Sequence, residues 1–220
     1  MTSSLFEGEA LKRLKLAAEE ISFLTGRGYA PREVKALVAA HRELVPEQEA
    51  ALDRAVCSEP QYRARAVKEM LPEDIARRPL LVDAHDVLDA VTTALAGGVL
   101  LEGMDQTFQP LSAGGSPDHV AAALDRIGPV LREMRPSKTK WLLAEARADA
   151  PALKDKLAAA AKKWRVPIEA EILHDPVALL RKSANVATNN PATIDACRSW
   201  CNLSGPVIVA IDAARRVKLQ

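Results

Sequence analysis

Along the first 57 residues, apolar side chains recur at helical spacing. In LKRLKLAAEEISFLTGRG, Leu14, Ala17, Ile21 and Leu24 return every three or four positions, and Gly26 and Gly28 punctuate the end. APREVKALVAAHREL predicts a second helix, with Pro31 suited to an early helical position, and VPEQEAALDRAVC a third, with Pro46 and Glu47 at its start. Residues 1–57 are therefore expected to form a small helical bundle. Residues 58–78 are rich in charge and interrupted by Pro60 and Pro72, and read as a connector with a helical portion.

From Pro79 the period changes. The short apolar runs PLLVDA, VLLEG, KWLLAEA, IEAEIL, NVATNN and PVIVAI alternate with helical segments over 87–96, 118–134, 151–164 and 191–200. The second of these carries Val120, Leu124, Ile127, Leu131 and Met134 on one face. Such alternation predicts an α/β domain over 79–220, a three-layer sandwich with a mainly parallel central sheet covered on both faces. SAGGSPD is expected to be a short flexible loop.

Composition narrows the function classes. Aromatics make up only 4% of the 220 residues, so the core falls to Ala, Leu and Val. With a formal net charge of +1, nothing advertises nucleic acid globally, and any such contact needs a local patch. No apolar run reaches the ~18 residues of a spanning helix, so no membrane is expected as a partner. The start MTSSLFEGEALKRLK turns charged too early for a secretory signal, and three cysteines, an odd number, offer no disulfide framework. A cytoplasmic location is the expectation.

The chemistry lies at the strand ends. In open parallel sheets, ligands bind outside the carboxyl ends of the strands, near the point where strand order reverses. LLVD ends in Asp83; LLE ends in Glu102 with Asp105 close behind; WLLAE ends in Glu145. NVATNN ends in Thr188, Asn189 and Asn190, with Asp195 a helical turn on. Hard divalent ions such as Mg²⁺ or Mn²⁺ want a few carboxylates and water, and could serve phosphodiester hydrolysis. The competing reading is that these residues cap helices, as Asp86 would before Val87, and Thr188, Asn189 or Asn190 before Pro191. Asp83 sits too far from a helix start at Val87 to gain much as a cap, and is expected to be functional.

Other motifs exclude more than they offer. Cys197 and Cys201 in CRSWC lie four apart on an expected helix and are read as buried thiols, since zinc needs two further ligands. The histidines at 41, 85, 119 and 174 form no metal-binding spacing. No nucleophile elbow, phosphate loop or dinucleotide fingerprint is present. Arg27, Arg32, Lys35 and Arg42 crowd the second helix and its preceding turn beside Tyr29, a candidate patch for single-stranded nucleic acid, although Glu33 and Glu43 dilute it.

LLVDAHDVL resembles the first-strand signature of PIN-like and NYN-type nuclease domains, a hydrophobic strand followed by Asp-Gly-Tyr-Asn-Val. Asp83 matches the metal-binding aspartate, Ala84 the glycine, His85 the aromatic and Asp86 the asparagine. VATNN takes the place of a late strand that often ends Thr-Ser-Asp. The N-terminal GRGY and RAVCS motifs resemble a small helical domain of unknown function that precedes an uncharacterised PIN-like domain in prokaryotic proteins. Together the two resemblances cover nearly the whole chain. They imply a PIN-like fold and a metal-dependent ribonuclease, with Asp83, Asp105 and Glu145 catalytic. Asp83, Asp105, Asn190 and Asp195 would hold Mg²⁺ or Mn²⁺, with Asn189 a further candidate. The alternative is a degenerate PIN-like module that binds RNA, single-stranded nucleic acid or a protein. A homodimer assembled through the Ala-rich helix is a third option.

Overall fold

In the computed structural model, which describes residues 2–112 and 115–219, the first 57 residues form three helices, α1 (Gly8–Gly26), α2 (Pro31–His41) and α3 (Pro46–Ala55). Leu14, Ala17, Ile21, Val34, Val38, Ala51 and Leu52 point inward, as their spacing predicts, and pack together with Phe6. The next segment is more than a linker. It forms α4 (Glu59–Lys68) and the single turn α5 (Pro72–Ile75), and Ser58 caps α4 by accepting the Gln61 N–H at 3.4 Å. Ala113 and Gly114, within the expected SAGGSPD loop, lie outside the described residues.

Downstream follow β1 (Pro79–Asp83), α6 (Ala84–Leu95), β2 (Val99–Glu102), β3 (Phe108–Pro110), α7 (Val120–Met134), β4 (Lys138–Ala144) and α8 (Ala150–Trp164). The chain ends with β5 (Ile168–Leu173), α9 (Pro176–Leu180), β6 (Val186–Ala187), α10 (Pro191–Ala196), β7 (Trp200–Cys201), α11 (Ser204–Val209) and β8 (Arg215–Lys218). Five strands form a parallel sheet in the order β5-β4-β1-β6-β7. Alternate residues enter opposite faces, as the pleat requires. Trp141, Leu143 and Cys201 join the core beneath α6, α7, α8 and α11, whereas Leu142, Val186 and Trp200 join the one with Leu180 of α9 and Ile194 of α10. On the larger side Gly128 of α7 lies against Trp164 of α8, whose ring atoms would stand 2.5 Å from any added Cβ.

Three expectations are corrected. PVIVAI is not a strand: Pro206 falls early in α11, and the Asn202 side-chain oxygen accepts the Gly205 N–H at 2.8 Å. A six-residue apolar run with no polar interruption fits a buried helix as well as a strand. The helix opened by Pro191 stops at Ala196, so Cys197 and Cys201 do not share a helical face; Cys197 caps α10 and Cys201 lies in β7. All three thiols are buried, and burial pushes Cys57 up to about 11 and Cys201 up to about 12. Finally, β2 leaves the main sheet for a smaller one of order β3-β2-β8, with β3 antiparallel and β8 parallel to it.

That second sheet joins the two halves of the molecule. Adjacent residues of β2 face opposite ways, so Leu100 enters the α/β core and Leu101 the helical core, where Leu219 also packs. The helices are thereby fixed beside the carboxyl end of β1. The larger apolar residues of the Ala-rich α8, Leu153, Leu157 and Trp164, pack within the chain, and its outer face carries Lys154, Asp155, Lys156, Lys162 and Lys163.

A candidate site at the carboxyl end of the central strand

The first strand is central, and the chain builds β4 and β5 on one side of it and β6 and β7 on the other. The crevice between the ends of β1 and β6 is therefore the switch point of the sheet. Asp83 ends β1 there, and Thr188 and Asn189 directly follow β6. No loop separates β1 from its helix. α6 begins at Ala84, and Asp83 is its N-cap, accepting the Asp86 N–H at 3.4 Å. Asp83 thus does cap, against expectation, because the helix starts three residues earlier than the sequence pattern places it. The geometry carries Asp86 onto the same end of the sheet.

Asp86, expected only as a cap before Val87, joins Asp83 at this end of the sheet. One of its oxygens accepts the Thr188 hydroxyl at 2.8 Å and also the Asn189 N–H. Asp83 is only 6% exposed, and among the described residues neither carboxylate forms a salt bridge. Burial, followed by the nearby charge of Asp86, pushes Asp83 up to about 8. Burial likewise raises Asp86, against the hydrogen bonds it accepts. Two desolvated carboxyl groups without a counter-cation cannot both ionise cheaply, so the pair retains a proton at neutral pH.

The remaining acidic candidates are held differently. Arg65 of α4 is buried; its NH1 donates to Asp105 at 2.7 Å, while Nε and NH2 donate to Asp195 at 2.6 and 2.9 Å. Burial opposes the arginine charge, but the two carboxylates outweigh it and raise its pKa above the ordinary value. Asp105 also accepts the Thr107 hydroxyl and N–H through its other oxygen. Lys68, one turn on, donates to the carbonyls of Ile194, Asp195 and Cys197, closing the end of α10. The indole N–H of Trp200 donates to the Arg65 carbonyl at 2.9 Å. The expected connector is therefore stitched onto α10 and the edge strand, and its arginine occupies the two aspartates proposed as metal ligands.

Glu145 is exposed just beyond β4. Asn190 caps α10, accepting the Thr193 N–H at 3.1 Å. Asn189 is turned inward, where its side-chain oxygen accepts the Ser204 hydroxyl at 2.6 Å and is withdrawn from any cation. Among the described residues no group of three or more His, Cys, Asp or Glu side chains is arranged to hold a metal ion. The donor set that fits a hard cation is narrower than expected: the carboxylates of Asp83 and Asp86, with the Thr188 hydroxyl on Asp86. Mg²⁺ commonly takes only one or two carboxylates and keeps several waters, so this pair suffices chemically.

Beside the pair opens a cleft of about 610 Å³ between the helical bundle and the α/β layers. It is lined by Asp86, Asp89, Arg147 and Asn190 of the α/β part and by Lys35, Arg54 and Arg65 of the helical part. Arg147 bridges Asp89 at 2.9 Å and Asp149 at 3.2 Å. His85 takes the Ala144 N–H on Nδ1 at 3.3 Å, and its Nε2 lies 3.4 Å from Asp149. Burial, followed by the charge of Arg147, lowers its pKa. The basic patch read from sequence does not hold together. Arg42 is paired with Glu20 and Lys35 with Asp53, while Arg27 stands 5.4 Å from the Phe23 ring on another groove. Arg32 and Tyr29 are exposed, and of the five only Lys35 lines the cleft.

Two outcomes follow. Arg65→Met leaves Asp105 buried without its cation and should destabilise the chain by about 3–5 kcal/mol in chemical denaturation. Adding Asp105→Asn and Asp195→Asn should recover much of that loss; no recovery would remove the triad as its cause. The acid pair sets the pH dependence. Because the folded pKa of Asp83 lies above its unfolded value, the folded state binds the extra proton, and this stability is present at low pH and lost as pH rises toward about 8. In metal-free buffer, this contribution should fall between about pH 4 and about pH 8, with a slope of at most about 1.4 kcal/mol per pH unit for one group. Asp83→Asn should flatten this slope in thermal melts.

Comparison with known proteins gives two matches. Residues 13–68 match the family described as Protein of unknown function (DUF434), and residues 72–206 match the Domain of unknown function (DUF5616). No curated protein matches the chain, and no solved structure does. The second match spans α5 to the start of α11, including every strand of the main sheet and the Asp83–Asp86 pair, and the chain belongs to the DUF5616 family.

Proposed function

We propose that the chain is a PIN-like, metal-dependent phosphodiesterase acting on RNA, with Asp83 and Asp86 holding Mg²⁺ or Mn²⁺. The observation that carries this reading is the pair itself: buried Asp83 and half-buried Asp86, without a cationic partner among the described residues, at the switch point of a parallel sheet and at the edge of an open polar cleft. Buried charge left unpaired is costly, and a site that keeps it is suited to a cation that arrives with its ligand. A divalent ion there supplies the Lewis-acid charge that phosphodiester cleavage needs. The chain's own groups do the rest. Thr188 and the Asn189 N–H orient Asp86, the Asp83 cap fixes the turn into α6, and Arg147, paired with Asp89 and Asp149, lines the cleft. Asp105 and Asp195 support the wall through Arg65, and exposed Glu145 has no role in this reading.

A second reading has its own support. Arg65 neutralises two of the expected ligands, and asparagines stand at 189 and 190, a pattern suited to a degenerate module that binds RNA without cleaving it. Turnover separates the two. With labelled RNA and Mn²⁺, the purified chain should cleave, and Asp83→Asn or Asp86→Asn should slow it by more than the ~10–100-fold typical of losing an outer-shell partner. Equal background rates for all three proteins would reject the enzyme in favour of the binding module.

A further inference from the structure

The cleft carries as many acidic as basic side chains, yet their pairing is uneven. Lys35 is matched to Asp53, Arg65 to Asp105 and Asp195, and Arg147 to Asp89 and Asp149. Among the described residues Arg54 has no carboxylate partner. It lies in the last turn of α3, and its NH1 donates to the carbonyls of Pro110 at 2.8 Å and Leu111 at 2.9 Å, at the end of β3. Those two bonds use both hydrogens of NH1, so Nε and NH2 keep three donors without a partner among the described residues. The carbonyls hold the guanidinium in place without cancelling its charge.

Asp86 of the acid pair lines the same cleft. A tethered, uncancelled guanidinium sharing a cleft with a cation-seeking carboxylate pair suits an anionic ligand that can accept two parallel N–H bonds and also ligate a cation, namely a phosphate ester. The lining also limits how that ligand is recognised. No Phe, Tyr or Trp faces the cleft among the described residues, so it offers no ring on which a base could stack. Recognition through the backbone phosphate is left.

We infer that Arg54 is a phosphate-positioning residue, so that the helical domain completes a sequence-independent site for single-stranded nucleic acid otherwise built by the α/β domain. This rests on reading the cleft as a phosphodiester site. It goes beyond that reading in assigning to the N-terminal bundle the grip on the ligand, and in placing that grip at Arg54 rather than at the Arg27 to Arg42 patch.

Fluorescence anisotropy with labelled oligouridylate and oligoadenylate, on the full chain in Mg²⁺ across a salt series, tests it. Asp86→Asn is used as the background to prevent turnover. Arg54→Ala should weaken both oligonucleotides by roughly tenfold to a hundredfold, the range for losing a charge-assisted hydrogen bond. The slope of log affinity against log salt should fall by about 0.7, the value for one phosphate contact on a single strand. Arg54→Gln, which keeps a donor for the Pro110 carbonyl, serves if the alanine variant does not fold, and should show the same loss of slope. Arg32→Ala should leave both quantities unchanged. Unchanged affinity and slope in either Arg54 variant would overturn the inference, as would a loss confined to one base or no binding by the background protein at low salt. RNA turnover abolished by Asp83→Asn would still uphold the enzyme in each of those cases, so the two ideas fail separately.

Discussion

Negative charge buried at the end of a strand has three physical fates: it takes a cation from the protein, it keeps a proton, or it awaits a cation from solution. This molecule shows two groups of aspartates with different answers within one region. Asp105 and Asp195 receive Arg65, a cation built into the chain, and with it a rigid link between α4, the loop after β2 and α10. Among the described residues, Asp83 and Asp86 receive only hydrogen bonds and remain short of positive charge. The organisation of the cleft follows from that difference.

Rigidity in the wall serves the open pair. Burial of an ion triad is seldom a net gain over apolar packing, but breaking it is expensive, so such a triad fixes geometry. Here it is reinforced by Lys68 on the carbonyls at the end of α10 and by the Trp200 indole on the Arg65 carbonyl. β2 adds the second constraint, since its alternating leucines belong to the two cores at once. Between them, α4 and β2 tie the helical bundle to the sheet beside the cleft.

The layered α/β plan was legible in the sequence because helical and strand periods differ sharply over 8–26, 120–134, 138–144 and 168–173. What escaped was decided by tertiary context. PVIVAI has the apolar run of a strand, yet it lies in and after α11, with Pro206 early in the helix and the Gly205 N–H held by the Asn202 side chain. VLLEG is a strand, but no pattern says which sheet it joins. Within the site, Asp83 was found from its place at the end of LLVD, whereas Asp86 was set aside as a cap and proved to be its partner. The i to i+3 spacing of Asp83 and Asp86 was the available signal. Arg65 could not have been anticipated, because its partners lie 40 and 130 residues away and its own segment resembles a charged linker. The arginine patch on α2 dissolved for the same reason, as Glu20 and Asp53 reach it from other helices.

The acid pair can be observed directly by carbon-detected NMR of aspartate carboxyl groups in metal-free protein, followed by addition of Mg²⁺. One carboxyl of the pair should titrate near pH 8, far above an ordinary aspartate, and its signal should move to the ionised position at neutral pH once Mg²⁺ is added, with release of a proton. If both carboxyls titrate near pH 4 and ignore Mg²⁺, the pair is neither short of charge nor a cation site, and the cleft has no centre.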